Sequence, residues 1–325
     1  MKLIGKATVL VTAALVVSSF AAIARGETVD TGRPGFADYQ GYPVSYFEYG
    51  PGPEQAPTVM VTGGWPGNSS GMIPFAEQLA ADGFHVVRWD MHGAGKTSRD
   101  RRPGAYSMEG LAGEFGAVMD KTAGGHHVHI FGDGWGPFIG SQYNTEVPGR
   151  IASISSIGFP SADLAGNALR RVPQEKPEMT GQWALQLAAL SYLVGIEIPL
   201  LPDAAVRTGI PVQVLMAMAK VMAPDLPGGS GPQDPEEDAD GLERYRQAMW
   251  PHLTQPRYDY IDIPRLQVFY ATDDFLETPV LIEGLETRTP HLDLRYLPGN
   301  HYSVFSGDNA RQILTATEET IRATD

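Results

Sequence analysis

Cysteine is absent from this 325-residue chain. Disulfides, thiol nucleophiles and zinc–thiolate sites are excluded with it, so the fold has to rest on its apolar core. Basic residues are scarce: 24 Lys and Arg stand against 38 Asp and Glu, for a formal net charge of −14. The clustered cations that a phosphate backbone requires are missing, and nucleic acid is not an expected partner. The histidines of "GHHVH", residues 125–129, alternate along a strand-like run with no carboxylate cluster beside them. No metal site is expected from that pattern, and no cofactor. No internal repeat is visible, and beyond residue 24 no apolar run is long enough to span a bilayer.

What is present begins at the N-terminus. Lys2 and Lys6 lead into "LIGKATVLVTAALVVSSFAAIA", an apolar run that ends in small residues. A basic start, an apolar middle and Ala22-Ile23-Ala24 describe a secretory signal over residues 1–24, cut near Arg25. Its rival is an uncleaved membrane anchor, since the run is about as long as a short span. The expected location is secreted or extracytoplasmic, with no stable span after cleavage. The oligomeric state stays open.

With 42% hydrophobic residues, the remainder can bury a substantial core. From "GYPVSYFEYG" onward, strand-like and helix-like segments alternate. "TVMVTGG", "HVVRWD", "HVHIFG" and "RIASISSIG" are short apolar runs suited to strands buried on both faces. "MIPFAEQLAADGF" and "MEGLAGEFGAVMDKTAG" carry apolar residues at helical spacing. The alternation predicts an α/β fold with a mainly parallel, doubly wound sheet. The rhythm breaks near Phe159. Residues 161–262 read as a helical, Pro-punctuated insert, with "PGGSGPQDPEEDAD" as a flexible acidic linker inside it. Strand rhythm resumes in "RLQVFYATDD" and "HLDLRYLPGNH", and "DNARQILTATEETIRA" closes the chain as a helix. The core is thus expected in two parts, residues 25–160 and 263–325.

In such sheets ligands bind beyond the carboxyl ends of the strands. Four loops of interest fall there: "GGWPG" at 63–67, "GDGWG" at 132–136, "TDD" at 272–274 and "PGNH" at 298–301. The second reads as a sharp strand-to-helix turn. A tight turn of that kind needs slender residues two before and two after its apex. With Gly134 at the apex the flanks are Gly132 and Gly136; with Asp133 there, they would be the bulky Phe131 and Trp135. Sterics therefore put Gly134 at the apex and Asp133 one step before it.

The order and context of these loops resemble the α/β-hydrolase family. "WDMHGAGKTS" is similar to that family's Asp-x-x-Gly-x-Gly-x-Ser segment, "LPGNHYS" to its Gly-x-His loop, and the helical insert lies where the family carries a cap, after the sixth strand. "GGWPG", "GDGWG" and "GAGKT" look most like the proline iminopeptidase and epoxide hydrolase branches. The resemblance implies a nucleophile at position 134, where the family carries Ser, Asp or Cys and this chain has Gly134. It implies His301 as the catalytic histidine and Asp273 or Asp274 as its acid; the family's position favours Asp273, and Asp274 can cap the turn that follows. It implies an oxyanion hole built from the backbone N–H groups of Trp65 and Trp135, with Gly63 where the family usually has His. Gly64 and Tyr245 are implied as substrate contacts, Tyr245 by its likeness to an epoxide-hydrolase cap tyrosine. Trp183 and Tyr192 read as apolar lining.

Three functions are compatible with a bare apex. One is an enzyme acting on a small or medium apolar substrate under the cap, through His/Asp acid–base chemistry and a backbone oxyanion hole, without an acyl-enzyme. Another is ordinary hydrolysis of an ester, peptide or epoxide, using a His301-activated water or Asp133. The third is a non-catalytic small-molecule binding protein.

Overall fold

The computed structural model describes residues 30–198, 200–226 and 234–324. The expected signal segment lies outside the described residues.

Eight strands form one sheet in the order β1-β2-β4-β3-β5-β6-β7-β8. They are β1 Arg33–Tyr39, β2 Tyr42–Tyr49, β3 Thr58–Thr62, β4 His85–Trp89, β5 Val128–Asp133, β6 Ile151–Ile157, β7 Arg265–Ala271 and β8 Leu292–Leu297. The pairs β1/β2 and β2/β4 are antiparallel, and all the others are parallel. The apolar runs that carry the parallel centre are buried throughout β3, β4 and β6. That is the pattern of strands covered on both faces.

Helices α1 Ile73–Ala81 and α10 Gly307–Thr324 cover one face, where Phe75, Leu79, Ile313 and Ile321 join the side chains of β3 and β7. Helices α2 Met108–Thr122 and α3 Trp135–Glu146 cover the other, with Phe115, Val118, Phe138 and Ile139 in the core. In α3 every residue from Trp135 to Asn144 is buried. It has sheet beneath it and helix beside it, so it is a core helix without a polar stripe. Burying Phe138 and Ile139 alone contributes roughly 1.5–3 kcal/mol each.

Between β6 and β7 the chain makes the helical cap: α4 Ala162–Glu175, α5 Thr180–Ile196, α6 Leu201–Arg207, α7 Ile210–Met222, α8 Pro235–Arg244 and α9 Trp250–Thr254. A π-helical turn, Tyr245–Met249, joins α8 to α9.

Two segments differ from the sequence reading. The stretch before "GYPVSYFEYG" is itself a strand, β1, despite its Pro34 and Gly35. It is an edge strand, where a proline's missing N–H need not break a ladder. The two-residue turn into β2 is taken by Gln40 (φ 52°) and Gly41 (φ 85°), the geometry a tight hairpin favours. The acidic "PEEDAD" is not part of a linker but the start of α8. Asp234 caps that helix by accepting the Glu236 N–H, and acids in a first turn suit the positive end of the helix dipole. Glu237, Asp238 and Asp240 are buried against the core, and Asp240 pairs with Arg101 at 2.8 Å.

Candidate active site

The chain passes from β3 to β4 on one side and then returns to β5 on the other side of β3. This reversal opens a crevice beyond the carboxyl ends of β3 and β5, the place where open α/β sheets hold ligands. Both glycine-rich loops start there.

The β5–α3 turn has its apex at Gly134, with φ 47° and ψ −86°. Side chains rarely adopt that conformation, and glycine does so freely. Of the apex's two slender flanks, Gly132 sits tightly and Gly136 has room for an ordinary contact. A Cβ on Gly132 would come 3.2 Å from the Thr62 carbonyl, and one on Gly136 would come 3.4 Å from the Thr62 methyl. A Cβ on Gly134 itself would meet nothing nearer than the Phe138 ring at 3.8 Å. The apex is bare, and a Cβ there would make only an ordinary contact with that ring.

The β3 loop runs Gly63, Gly64, Trp65 and Pro66, with a cis bond before Pro66. Gly63 has a packing reason in this chain: a Cβ there would lie 2.7 Å from the Asn68 carbonyl. Trp135 is the first residue of α3, so its N–H has no acceptor inside the helix. The cap is pinned onto this loop. The Trp65 indole N–H donates to the Asp238 carbonyl (2.8 Å), and the Gly67 N–H donates to the Asp238 carboxylate (2.7 Å). Gly241 allows the approach, since a Cβ there would fall 2.5 Å from the Trp65 ring.

Tyr245 sits in the π-helical turn, a local widening that often marks functional positions. Its ring lies edge-on to Trp135 (centroids 5.3 Å apart), to Trp65 (5.8 Å) and to Tyr192 of α5 (6.2 Å). Tyr245 is therefore brought together with both loop tryptophans. Tyr192 belongs to the same aromatic group, whereas Trp183 packs elsewhere and donates to the Leu169 carbonyl. Burial pushes the Tyr245 hydroxyl up to about 12, so it stays a proton-bearing donor at neutral pH.

The histidine's acid partner requires a correction by one residue. His301 Nδ1 is 2.9 Å from Asp274 Oδ2, and the other Asp274 oxygen accepts the N–H groups of Leu276 (2.8 Å) and Glu277 (2.9 Å). Asp273 is exposed and only its backbone N–H is engaged, by the Gly299 carbonyl. The reason is the strand end. β7 continues to Ala271, and a turn closed by the Asp274 N–H on the Ala271 carbonyl swings residue 274 toward the β8 loop. Asp274 thus does both jobs, turn cap and histidine partner. His301 is presented by a loop in which the Asn300 side chain accepts the N–H groups of Tyr302 and Ser303.

Beneath the imidazole, Asp133, Asp274, Glu277 and His301 line one small pocket with Phe269 and Val304. Asp133 faces this pocket from the end of β5, and its carboxylate would lie 3.4 Å from a Cβ on Gly64. Sequence reasoning missed Glu277. Its signal was a third acid in "TDDFLET", three residues after Asp274, on the turn that folds back under the histidine. Glu277 accepts the Phe159 N–H at 3.0 Å.

The charges in this pocket act on one another. Burial alone would push the His301 imidazolium down, but the hydrogen bond and charge of Asp274, with the charges of Glu277 and Asp133, outweigh it and hold the ring at about 9. Burial raises Glu277 to about 8 against the pull of His301, and it also raises Asp133. Both of the larger shifts are upward from ordinary values of 6.5 and 4.5. A raised pKa means the protonated form is favoured by folding. The Glu277 contribution is complete below about pH 4.5 and lost through about 8; that of His301 is complete below about 6.5 and lost through about 9. The melting temperature is therefore expected to fall as pH rises from about 6.5 to 9, and Glu277→Gln is expected to flatten that fall. Thermal melts across this window check it, and a wild-type melting temperature that rises through the window contradicts it.

Residues 57–199 match the family described as alpha/beta hydrolase fold. The chain is 29% identical over 189 residues to the probable oxidoreductase EphD of Mycobacterium tuberculosis, covering 55% of this chain and 30% of that protein. It is 29% identical over 132 residues to a proline iminopeptidase of Lacticaseibacillus rhamnosus, covering 40% of this chain and 44% of the relative. The chain thus spans less than half the length of these curated relatives. Among solved structures, the Bacillus megaterium epoxide hydrolase superposes with a TM-score of 0.68 at 14% identity, over 89% of this chain and all of that one. The sheet order, the capped crevice and these matches together identify the chain as a protein of the α/β-hydrolase fold, similar to proteins named epoxide hydrolase and proline iminopeptidase.

Proposed function

We propose that this protein is an enzyme that acts on a small or medium apolar substrate beneath the cap by proton transfer, without a covalent enzyme intermediate. The observation that carries this reading is the bare apex at Gly134, next to an assembled His301–Asp274 pair. A glycine offers no atom that can attack an acyl carbon or an epoxide. What remains is a histidine oriented by a carboxylate, with the N–H groups of Trp65 and Trp135 as the oxyanion donors. Below about pH 9 the ring carries a proton and can donate it to a leaving or developing anion; as the neutral imidazole, it takes a proton from the substrate. Trp65, Trp135, Tyr192 and Tyr245 give the substrate an aromatic surround, and the Tyr245 hydroxyl gives it a hydrogen-bond donor.

Hydrolysis through Asp133 is the second reading, favoured by one observation: its carboxylate shares a pocket with His301. Intact-protein mass spectrometry separates the two. After incubation with fluorophosphonates, short acyl esters and aryl epoxides, the chain is expected to carry no adduct. His301→Ala is expected to lower turnover of an apolar substrate by about 10²-fold or more. An adduct on Asp133, with turnover abolished in Asp133→Asn, would establish the second reading instead. Ligand binding without turnover, unchanged in His301→Ala, would make the protein a binder.

A further inference from the structure

Helix α5 inverts the usual placement of polar and apolar residues. Its inward positions are Gln186, Leu193 and Ile196, one stripe of the helix. The leucines on either side of the glutamine, Leu185 and Leu187, are exposed, while Gln186 is wholly buried. A leucine in its place would bury more apolar surface, so the amide needs a reason of its own.

Its partners supply one. The Gln186 side-chain N–H donates to the Leu276 carbonyl (2.9 Å), and its oxygen accepts the Thr278 N–H (2.6 Å). Those two peptide groups bracket Glu277, in the turn that begins at Asp274. The other backbone groups of this turn are held from within the core. Asp274 accepts the N–H groups of Leu276 and Glu277, and the Tyr270 hydroxyl donates to the Glu277 carbonyl (3.0 Å). Each backbone N–H and C=O from Leu276 to the Thr278 N–H thus has a partner, and Gln186 is the partner that comes from the cap. A buried amide bonded at both ends fixes geometry, because giving up either bond leaves a peptide group unpaired.

The turn is the floor of the candidate site. Asp274 holds His301 Nδ1, the Glu277 carboxylate shares the pocket beneath the imidazole, and Asp133 faces that pocket from the end of β5. Burial works against the imidazolium, and these three acids outweigh it. The same helix carries Tyr192, whose ring meets Tyr245 at 6.2 Å. One element of the cap therefore touches both the aromatic group and the acids.

We infer that Gln186 is a positioning residue: by bracketing Glu277 it keeps both acids of the turn, Asp274 and Glu277, in register with His301. The inference rests on the reading of His301 and Asp274 as the reacting pair, yet its test needs no substrate.

The NMR titration of the His301 ring is followed in the full-length protein with isotope-labelled histidines, its signal identified by its loss in His301→Ala. The wild-type ring is expected to titrate at about 9. Gln186→Met keeps nearly the same volume and neither bond, and is expected to bring that titration down by about half a pH unit or more. Leu193→Ala, on the same stripe, is the control for packing: it is expected to lower the melting temperature and leave the titration where it is. A role in packing alone would lower the melting temperature of both variants and shift the titration of neither. An unmoved titration in folded Gln186→Met would overturn the inference, and so would an equal shift in Leu193→Ala. If Gln186→Met does not fold, Gln186→Asn, still polar but one methylene short of the turn, carries the same expectation and the same overturning result. Failure of the reacting-pair reading shows elsewhere, as turnover that survives His301→Ala, and leaves the titration result standing.

Discussion

Gly134→Asp is expected to give the protein an epoxide hydrolase activity at least about 10²-fold above its starting level, with an ester adduct trappable at position 134. On the reading proposed above, this chain's own residues supply the other parts of that reaction. A Cβ at the apex would clash with nothing, meeting the Phe138 ring at 3.8 Å. His301 and Asp274 are already joined at 2.9 Å, and in its neutral form, favoured above about pH 9, the ring would activate the water that resolves an adduct. Tyr245 stands over both loop tryptophans, where a ring oxygen would need a donor. The substitution has a cost, because φ 47° disfavours any side chain; about 1–3 kcal/mol of stability is at stake, a melting shift of a few degrees. Gly134→Ala separates strain from chemistry: it should melt lower in the same way and gain nothing. A folded Gly134→Asp protein that neither turns over aryl epoxides nor forms an adduct would show that the crevice is not poised for covalent chemistry.

Asp274→Asn is expected to lower turnover by about 10²–10⁴-fold, while Asp273→Asn stays within about twofold of wild type. The two residues are neighbours with the same side chain, so the contrast isolates geometry from composition. Asp274 holds the imidazole by one oxygen and its own loop by the other. Its loss removes the strongest support for the imidazolium, and the histidine's titration should move down from about 9. The pH–rate profile reads this as a limb displaced toward acid. Glu277→Gln should move the same limb the same way with a smaller loss of rate, because Glu277 acts on His301 by charge alone. Equal losses in the two aspartate variants would refute the one-residue correction.

The fold was legible because buried parallel strands and their helices leave long, regular apolar signals. The turn at Gly134 was legible for a different reason. The glycine spacing at 132, 134 and 136 is visible in the sequence itself, and the positive φ at Gly134 agrees with it. The acid was misplaced by one residue because strand ends are set by pairing, here Ala271 with Leu297, and a sequence does not display its partners. β1 was missed because Pro34 and Gly35 argue against a strand everywhere except at an edge. The acidic start of α8 was read as linker because the arginines that receive it, Arg99 and Arg101, lie some 130 residues earlier. Glu277 escaped notice because its importance depends on burial beneath a histidine from another loop.

The pinning of Trp65 and Gly67 to Asp238 couples the cap to the β3 loop. Under the proposed chemistry, lifting α8 would drag the loop's peptide groups with it, and an open roof would leave them out of line until the indole regains its carbonyl.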